Sequence, residues 1–177
     1  MSLEKIFPAL SPEQNDQTHA ALIQGYRDAY FHIRQERGSN ATSPFFPGAR
    51  NMLDSLKAED WTLLAVATGK STRGLDKLIE GHGLEGYFVS RQTADDHPSK
   101  PSPSMINAIL AETGVAPDRA AMVGDTSFDM DMGQAAGIKT IGVSWGYHQV
   151  EMLKTDVIID DFAALPRALD QLIGPAT

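Results

Sequence analysis

Hydrophobic and polar positions follow two different rhythms along this chain. From Ala20 to Ile33, apolar side chains recur every three or four residues, which is the spacing of one face of an amphipathic helix. Ser11 followed directly by Pro12 is typical of a helix start, and Gly38 is typical of a helix end. The pattern therefore predicts that the first part of the chain is helical.

The second rhythm begins after a loop rich in Pro, Ser and Gly, from Ser39 to Gly48, which is the candidate domain boundary. A short helix carrying Met52 and Leu56 is expected next, and short apolar runs then alternate with amphipathic stretches. Such alternation implies an α/β fold with a parallel, doubly wound sheet. Strands are expected at residues 61–68, 87–90, 120–124, 138–143 and 157–159, and helices at 72–80, 103–112, 128–136 and 162–173.

Composition narrows the classes of partner and chemistry. The 177 residues suffice for one domain with a full core, and 42% hydrophobic with 21% charged residues is ordinary for a globular protein. A net charge of -8 disfavours nucleic acid or an anionic membrane as partner, but not a small anionic metabolite. The absence of cysteine excludes disulfides, zinc–thiolate sites and cysteine nucleophiles. Without a signal sequence or an apolar stretch of about 18 residues, a cytoplasmic location is expected.

Two carboxylates follow the apolar run that ends at Gly124. Asp125 comes directly after the expected strand, in the crevice where open α/β sheets bind ligands, and Asp129 lies about one helical turn further on. Such a pair suits Mg²⁺, which prefers oxygen ligands. A strand-to-helix turn with a capping Asp has the same sequence pattern, and this segment alone does not distinguish the two interpretations.

Two other expected strand ends carry polar residues that suit a phosphate site. Thr68 and Gly69 end the first strand, and Lys100 lies in a Pro-rich loop before a helix. Because the carboxyl ends of parallel strands meet at one edge, Thr68, Lys100 and the Asp125/Asp129 pair are expected to share a pocket. A hydroxyl and backbone N–H groups can hold phosphate oxygens, an ammonium can offset their charge, and a carboxylate can hold Mg²⁺. Taken singly, Thr68 with Gly69 also fits a plain strand end, and Lys100 a solvated surface lysine.

The order of these segments resembles the haloacid dehalogenase superfamily of phosphatases, and within it the phosphoglycolate phosphatase-like branch with an inserted helical cap. The similarity runs from about Phe46 to Ile173. Each motif alone is weak, whereas all of them in this order are highly specific. The segments that carry the resemblance are Ala67–Ser71 for the second motif, Lys100–Pro103 for the third, Val123–Asp129 with Ala135–Gly137 for the fourth, Phe46–Ala49 where the cap rejoins the core, and Ser144–Tyr147 in the turn after the next strand.

The resemblance implies a division of the chain and a role for each candidate residue. Residues 1–45 correspond to a remnant of the helical cap, and residues 46–177 to the Rossmann-like α/β core. Thr68 and Lys100 are the implied catalytic residues, and together with Gly69 they bind the phosphoryl group. Asp125 and Asp129 are implied to serve the metal, Mg²⁺. The implied substrate is a small phosphorylated metabolite, and specificity for it lies largely in the cap.

One motif of the superfamily has no counterpart in this sequence. The first motif, Asp-x-Asp-x-Thr at the end of the first core strand, supplies the nucleophilic aspartate and the general acid/base, and in relatives it precedes the cap. The nearest candidates, at Asp54, Asp95–Asp96 and Asp129–Asp131, do not follow a strand with a hydroxyl in the required place. The first core strand, the nucleophile and part of the cap are therefore expected to be absent from this chain.

The absent strand would be central in the sheet, between the strands that carry the second and fourth motifs. Its absence would leave unpaired backbone groups beside an apolar trough, which is costly unless the space is refilled. We therefore expect either reduced stability or a partner in the vacancy, as a strand-completing segment or through a homo-oligomer.

Three functions are compatible with this sequence. The first is a Mg²⁺-dependent phosphatase for small phosphate monoesters, with this chain truncated and inactive alone because it lacks the nucleophile. The second is a non-catalytic phosphate-binding or interaction module derived from the family. The third is a haloacid dehalogenase, which shares the fold but uses no Mg²⁺ and would leave Asp125 and Asp129 without a purpose.

Overall fold

The computed structural model describes residues 3–176, without the side chains of residue 31 and residues 34–41. The chain divides into two compact units: one contains the residues up to Pro44 and Arg73–Leu84, and the other contains Phe45–Thr72 and the residues from Glu85 onward. Helices and strands follow in the order α1 (Leu3–Leu10), α2 (Asp16–Thr42), α3 (Ala49–Lys57), β1 (Ala65–Ala67), α4 (Thr72–His82), β2 (Ser90–Gln92), α5 (Ser104–Thr113), β3 (Ala121–Gly124), α6 (Ser127–Ala135), β4 (Lys139–Val143), β5 (Val157–Ile159) and α7 (Leu165–Ile173).

The first unit is helical, as expected, but the helix boundaries differ from the prediction. Ser11 does not begin a helix; it follows α1 and its Oγ donates to the carbonyl of Phe7 at 3.0 Å. The cap of α2 is Asn15, whose side chain accepts a hydrogen bond from the Thr18 N–H at 2.9 Å. Helix α2 also continues past Gly38, because an isolated glycine inside a helix costs only about 1 kcal/mol. No helix in the described part of the chain is both long and apolar enough to cross a membrane.

The strands of the second unit are all parallel, which confirms the α/β class, but they form two sheets. β1 pairs with β2, and β3 pairs with β4, which pairs with β5. Within the described residues, β1 and β3 therefore each have a strand on one side only.

Helices cover both faces of these strands. Leu64, just before β1, and Val123 in β3 pack in one hydrophobic cluster, whereas Ala67 in β1 and Met122 in β3 pack in the other. Because residues in or next to both sheets pack in both clusters, the two sheets lie between the same two layers of helices. The buried residues of the first cluster are Leu56, Ile141, Val143, Ile159, Leu165 and Ala168, and those of the second are Met105, Ile106, Met132 and Ile138.

Two of the strands are shorter or shifted relative to the apolar runs that predicted them. β1 occupies three residues, because the chain before it turns, with the Thr62 N–H bonded to the Glu59 carbonyl. Trp61 is 74% exposed there. β2 begins only at Ser90, beyond most of the predicted run. A run of apolar residues does not by itself specify an extended backbone.

Candidate functional site

The strand end at Gly124 continues directly into a capped helix. Asp125 follows β3, and α6 begins at Ser127 with Thr126 as its N-cap. Asp129 closes a capping box: its Oδ2 accepts from the Thr126 hydroxyl at 2.6 Å and from the Thr126 N–H at 3.1 Å, while its own N–H donates to Thr126 Oγ1 at 3.3 Å. The cap interpretation of this segment therefore applies to Asp129.

The other oxygen of the same carboxylate forms an ion pair. Lys100 Nζ lies 2.6 Å from Asp129 Oδ1, and the two side chains are only 17% and 8% exposed. A charged pair at this depth is desolvated, so a short charge-assisted hydrogen bond is needed to offset the loss of water. The structure thus brings together two of the predicted site residues that are 29 positions apart in the chain.

Gly124 has no side chain, and the side chain of Asp129 occupies the space where one would lie. A Cβ at position 124 would lie 2.4 Å from the Cβ of Asp129 and 2.7 Å from its Cγ. Atoms cannot approach this closely without displacement of the backbone or of the carboxylate. Glycine at the end of β3 therefore permits the carboxylate to fold back over the strand.

His97, in the loop that carries Lys100, contacts both the strand before the loop and the helix after it. His97 Nε2 lies 2.8 Å from Gln92 Oε1 in β2, and its Nδ1 lies 2.8 Å from the Ser104 hydroxyl at the start of α5. Gln92 is itself buried and donates to Glu112 Oε1 at 2.9 Å. The ring thus joins a strand to a helix across the segment that contains Lys100.

Asp125 is held by a turn that follows β4. Its Oδ2 accepts from the Tyr147 N–H at 3.0 Å, and its backbone carbonyl accepts from the His148 N–H at 3.1 Å. Among the described residues, nothing forms a hydrogen bond or an ion pair with Asp125 Oδ1. One carboxylate oxygen at the end of β3 is therefore left without a partner by the residues that the structure describes.

Thr68 ends the short sheet, where its N–H donates to the carbonyl of Gln92 at 3.0 Å. Its hydroxyl accepts from the Lys70 N–H at 3.2 Å, across the exposed Gly69, and the Lys70 carbonyl accepts from the Ala94 N–H. These bonds join the loops that follow β1 and β2. No hydrogen bond or ion pair in the described part of the chain joins Thr68 to Lys100 or Asp125, so a pocket shared by all three stays a prediction.

Comparison with known proteins decides the family. The model for haloacid dehalogenase-like hydrolases matches residues 1–143. The chain belongs to this family. It is 35% identical over 179 residues to a probable phosphatase, IndB, of Dickeya dadantii, with 98% of this chain and 76% of that protein covered.

Other relatives agree with this assignment. A phosphoglycolate phosphatase of Vibrio vulnificus is 28% identical over 160 residues, covering 88% of this chain and 68% of that protein. The crystal structure of a predicted phosphoglycolate phosphatase from Haemophilus somnus has a TM-score of 0.64 and 28% identity. That comparison covers 70% of this chain, which spans 56% of the length of the crystallised one.

The donor atoms of this haloacid dehalogenase-like hydrolase can be compared with what Mg²⁺ requires. In the part of the chain that is described, no three His, Asp or Glu side chains are grouped as a metal cage. Magnesium, however, is commonly held by one or two carboxylates together with waters and substrate phosphate. Asp125, with one unbonded oxygen, fits that arrangement, whereas both oxygens of Asp129 already bind Thr126 and Lys100.

Sequence reasoning missed two groups of residues in this chain. His97 and Gln92 position the loop of Lys100, and no local motif marks them. Tyr147 and His148 contact Asp125, although only Ser144–Tyr147 was noted, for its similarity to a turn of the family. The contacts of Tyr147 with Asp125 span 22 positions, and those of His97 join a strand to a helix across a loop, and periodicity and spacing reveal neither.

Proposed function

We propose that this haloacid dehalogenase-like hydrolase binds small phosphate monoesters in a phosphatase-type site that uses Mg²⁺. The observation that carries the proposal is the buried Lys100–Asp129 pair at 2.6 Å, beside the strand that ends in Asp125. Its relatives named as phosphatase and phosphoglycolate phosphatase support the same class of substrate. A phosphoglycolate-like monoester is therefore the proposed substrate type.

Each proposed site residue has a role set by its chemistry. The hydroxyl of Thr68 and the N–H of Gly69 would donate hydrogen bonds to phosphoryl oxygens. The ammonium of Lys100 would offset the charge on those oxygens, and Asp129 would hold the ammonium in place. Because Asp129 fixes Lys100 before substrate arrives, little side-chain ordering is left for the binding step.

Asp125 is the proposed ligand of Mg²⁺ through its unbonded Oδ1. When bound, the ion would supply a Lewis acid that polarises a phosphoryl oxygen. With Asp129 engaged by Lys100 and Thr126, its part in metal binding is indirect: it keeps Lys100 and the start of α6 in place.

We also propose that the 177 residues by themselves do not turn over substrate. Covalent phosphoryl transfer in this mechanism needs a carboxylate nucleophile, and two of the other candidate carboxylates, Asp54 and Asp95, have structural partners. Asp54 binds Arg50 Nε through both oxygens, and the hydroxyl of Tyr87 donates to it at 2.6 Å, which lowers the pKa of Asp54. Asp95 accepts from the N–H of Thr72 at the start of α4.

Binding of inorganic phosphate in the presence of Mg²⁺, measured by isothermal titration calorimetry, tests the site. Lys100→Gln should weaken binding by roughly tenfold or more, since a charge-assisted hydrogen bond contributes about 1.5–3 kcal/mol. Lys57→Gln, at an exposed lysine outside the site, is the matched control and should have no effect. Equal affinity in both variants would contradict the proposed phosphate site.

Hydrolysis of p-nitrophenyl phosphate with Mg²⁺ tests the second part of the proposal. No turnover above background is expected from the purified chain. Magnesium-dependent hydrolysis that is abolished in Asp125→Ala would show that a nucleophile is present after all. A non-catalytic phosphate-binding module would bind phosphate in the calorimetric experiment and would not hydrolyse p-nitrophenyl phosphate.

The open edges of the two sheets support a proposed partner. β1 and β3 each lack a neighbouring strand on one side within the described residues, although helices cover the faces of both. We propose that an extended apolar segment of another polypeptide pairs with these edges, because unpaired backbone groups in a sheet favour strand addition. A homo-oligomer, seen as a doubled mass in light scattering without any added segment, would replace this proposal.

A further inference from the structure

The turn after β4 contacts Asp125 on several sides. Gly146, Tyr147 and His148, which we call the clamp turn, contact the segment from Asp125 to Ser127 through three hydrogen bonds and one close packing contact. We infer that the clamp turn is a positioning element for Asp125, which fixes the carboxylate so that Oδ1 is available to a divalent cation. This inference rests on the proposed function and assigns residues outside the family motifs to it.

The first contact holds one oxygen of the Asp125 carboxylate and leaves the other available to a cation. The Tyr147 N–H donates to Asp125 Oδ2 at 3.0 Å, so this oxygen is held by the backbone. Rotation of the carboxylate would break that bond, which keeps Oδ1 as the oxygen without a protein partner among the described residues. Since the donor is a backbone group, the side chain of Tyr147, which belongs to an 85% exposed residue, is not needed for this contact.

The second contact depends on glycine. A Cβ at position 146 would lie 2.1 Å from the Cβ of Asp125 and 3.0 Å from its Cα. Real side chains do not approach so closely, so any other residue at position 146 would push the turn and Asp125 apart. Gly146 thus allows the clamp turn to lie directly against the aspartate.

The third and fourth contacts are made by the backbone and by the ring of His148. Its backbone N–H donates to the carbonyl of Asp125 at 3.1 Å, and its ring Nδ1 accepts from the Ser127 N–H at 3.0 Å. The Ser127 N–H belongs to the first turn of α6, where backbone donors have no partner within the helix. His148 therefore holds the backbone on both sides of Thr126 and keeps Asp125 from turning away from the end of β3.

These contacts are separate from the Lys100–Asp129 pair. Lys100 binds Asp129 Oδ1, whereas the clamp turn binds Asp125 and Ser127. Damage to the clamp turn should therefore lower the affinity for a cation at Asp125 while the ion pair remains. This separation distinguishes the inference from the proposed phosphate site.

Binding of Mn²⁺, followed by electron paramagnetic resonance on the full chain, tests the inference. Wild type should bind one Mn²⁺ that Asp125→Ala abolishes. Gly146→Ala should bind it roughly tenfold or more weakly, which is the usual effect of removing a group that orients a metal ligand. Gln149→Ala, at the exposed position directly after the clamp turn, is the matched control and should bind Mn²⁺ as wild type does.

A pair of variants at His148 keeps the test decisive if Gly146→Ala does not fold. His148→Asn places an oxygen where Nδ1 lies and should retain affinity, whereas His148→Phe retains a ring without the acceptor and should lose it. Equal Mn²⁺ affinity in Gly146→Ala, His148→Phe and wild type would overturn the inference. So would the absence of any Mn²⁺ site that depends on Asp125.

The two proposals fail in different ways. If Mn²⁺ binding follows this pattern but phosphate affinity does not depend on Lys100, the phosphate site is wrong and the clamp turn stands. If phosphate affinity depends on Lys100 but Mn²⁺ affinity is the same in all clamp-turn variants, the phosphate site stands and the clamp turn has no positioning role.

Discussion

At the scale of single residues, Asp129 combines a helix cap with a buried ion pair, whereas sequence reasoning weighed the cap only against a role in binding Mg²⁺. One oxygen completes the cap of α6 through Thr126, and the other forms the buried ion pair with Lys100. The cap fixes the carboxylate, and the fixed carboxylate then fixes the lysine. A capping pattern and a functional site are therefore compatible in this segment.

Replacement of Asp129 by asparagine should destabilise the protein strongly. The amide can serve either Thr126 or Lys100 but offers no charge to the buried ammonium, and removal of one partner of a buried pair costs about 3–5 kcal/mol. Chemical denaturation should show this loss for Asp129→Asn. Asp131→Asn, at an exposed position of the same helix, is the control, and equal unfolding midpoints in the two variants would contradict the expected role.

At the scale of elements, a small network connects the starts of β4 and β5. Asp156 Oδ2 accepts from the N–H and the hydroxyl of Thr140 at 2.8 Å and 2.9 Å, and the Asp156 N–H donates back to Thr140 Oγ1. Lys139 Nζ lies 3.9 Å from the other oxygen. The fully buried Thr140 is thus satisfied by a residue just before the next strand.

This network predicts a dependence of stability on pH. Burial raises the pKa of Asp156, but the hydrogen bonds from Thr140 together with the charge of Lys139 outweigh burial and leave that pKa below its ordinary value. A carboxylate with a lowered pKa in the folded state stabilises the fold above its unfolded pKa of about 3.9, and this contribution is lost as the pH falls through the folded pKa.

Asp156→Asn should therefore lower the free energy of unfolding by about 1 kcal/mol at pH 7, a value reduced for partial exposure. The difference from wild type should shrink steadily below about pH 4 as the carboxyl is protonated in the unfolded chain. Urea denaturation at several pH values measures both. A destabilisation that is constant down to pH 2, or one matched by exposed Asp118→Asn, would argue against the network.

The loop between β2 and α5 gives a second prediction at this scale. Because His97 joins Gln92 to Ser104, His97→Ala should release the segment that carries Lys100. Exchange of the backbone amides of Asp96, Ser99 and Lys100 should become faster, with little change elsewhere in the second unit. Asp96→Asn, an exposed neighbour, is the control, and unchanged exchange in His97→Ala would mean that other contacts hold the loop.

At the scale of the whole molecule, the two sheets have strand edges that no other strand in the described part of the chain pairs with. In a parallel strand, alternate residues direct their backbone groups to the same side. The bonds from Thr68 to β2 and from Lys139 to the carbonyl of Ala120 show which residues of β1 and β3 face their neighbours. The amides of Ala65, Ala67, Ala121 and Val123 consequently face the opposite edges.

Hydrogen exchange should distinguish the two sides of each strand. In a monomer, the amides of Ala65, Ala67, Ala121 and Val123 should exchange faster than those of Val66 and Met122, which face paired strands. Addition of an extended apolar peptide should slow the first group. Strong protection of these four amides in a monomer without any peptide would contradict the open edges.

Part of the fold and site could be predicted from residue patterns and part could not. The segments β3, β5 and α5 lie within a residue of their predicted positions, because periodicity and flanking Gly and Pro act locally. β1 and β2 were misplaced, since their extent depends on which neighbour pairs with them. Lys100 was selected from its place in a Pro-rich loop before a helix, and the family resemblance supported it, whereas His97 and His148 were not selected as positioning residues.

Local patterns were sufficient for the α/β class and for the polar residues that follow the strands, because helix and strand periods and capping preferences depend on residues a few positions apart. The division into two sheets, the pairing of Lys100 with Asp129 and the contact of the clamp turn with Asp125 were decided by tertiary packing. Each of these joins groups far apart in the chain, and the distances between such groups are defined only when the strands and helices have packed together.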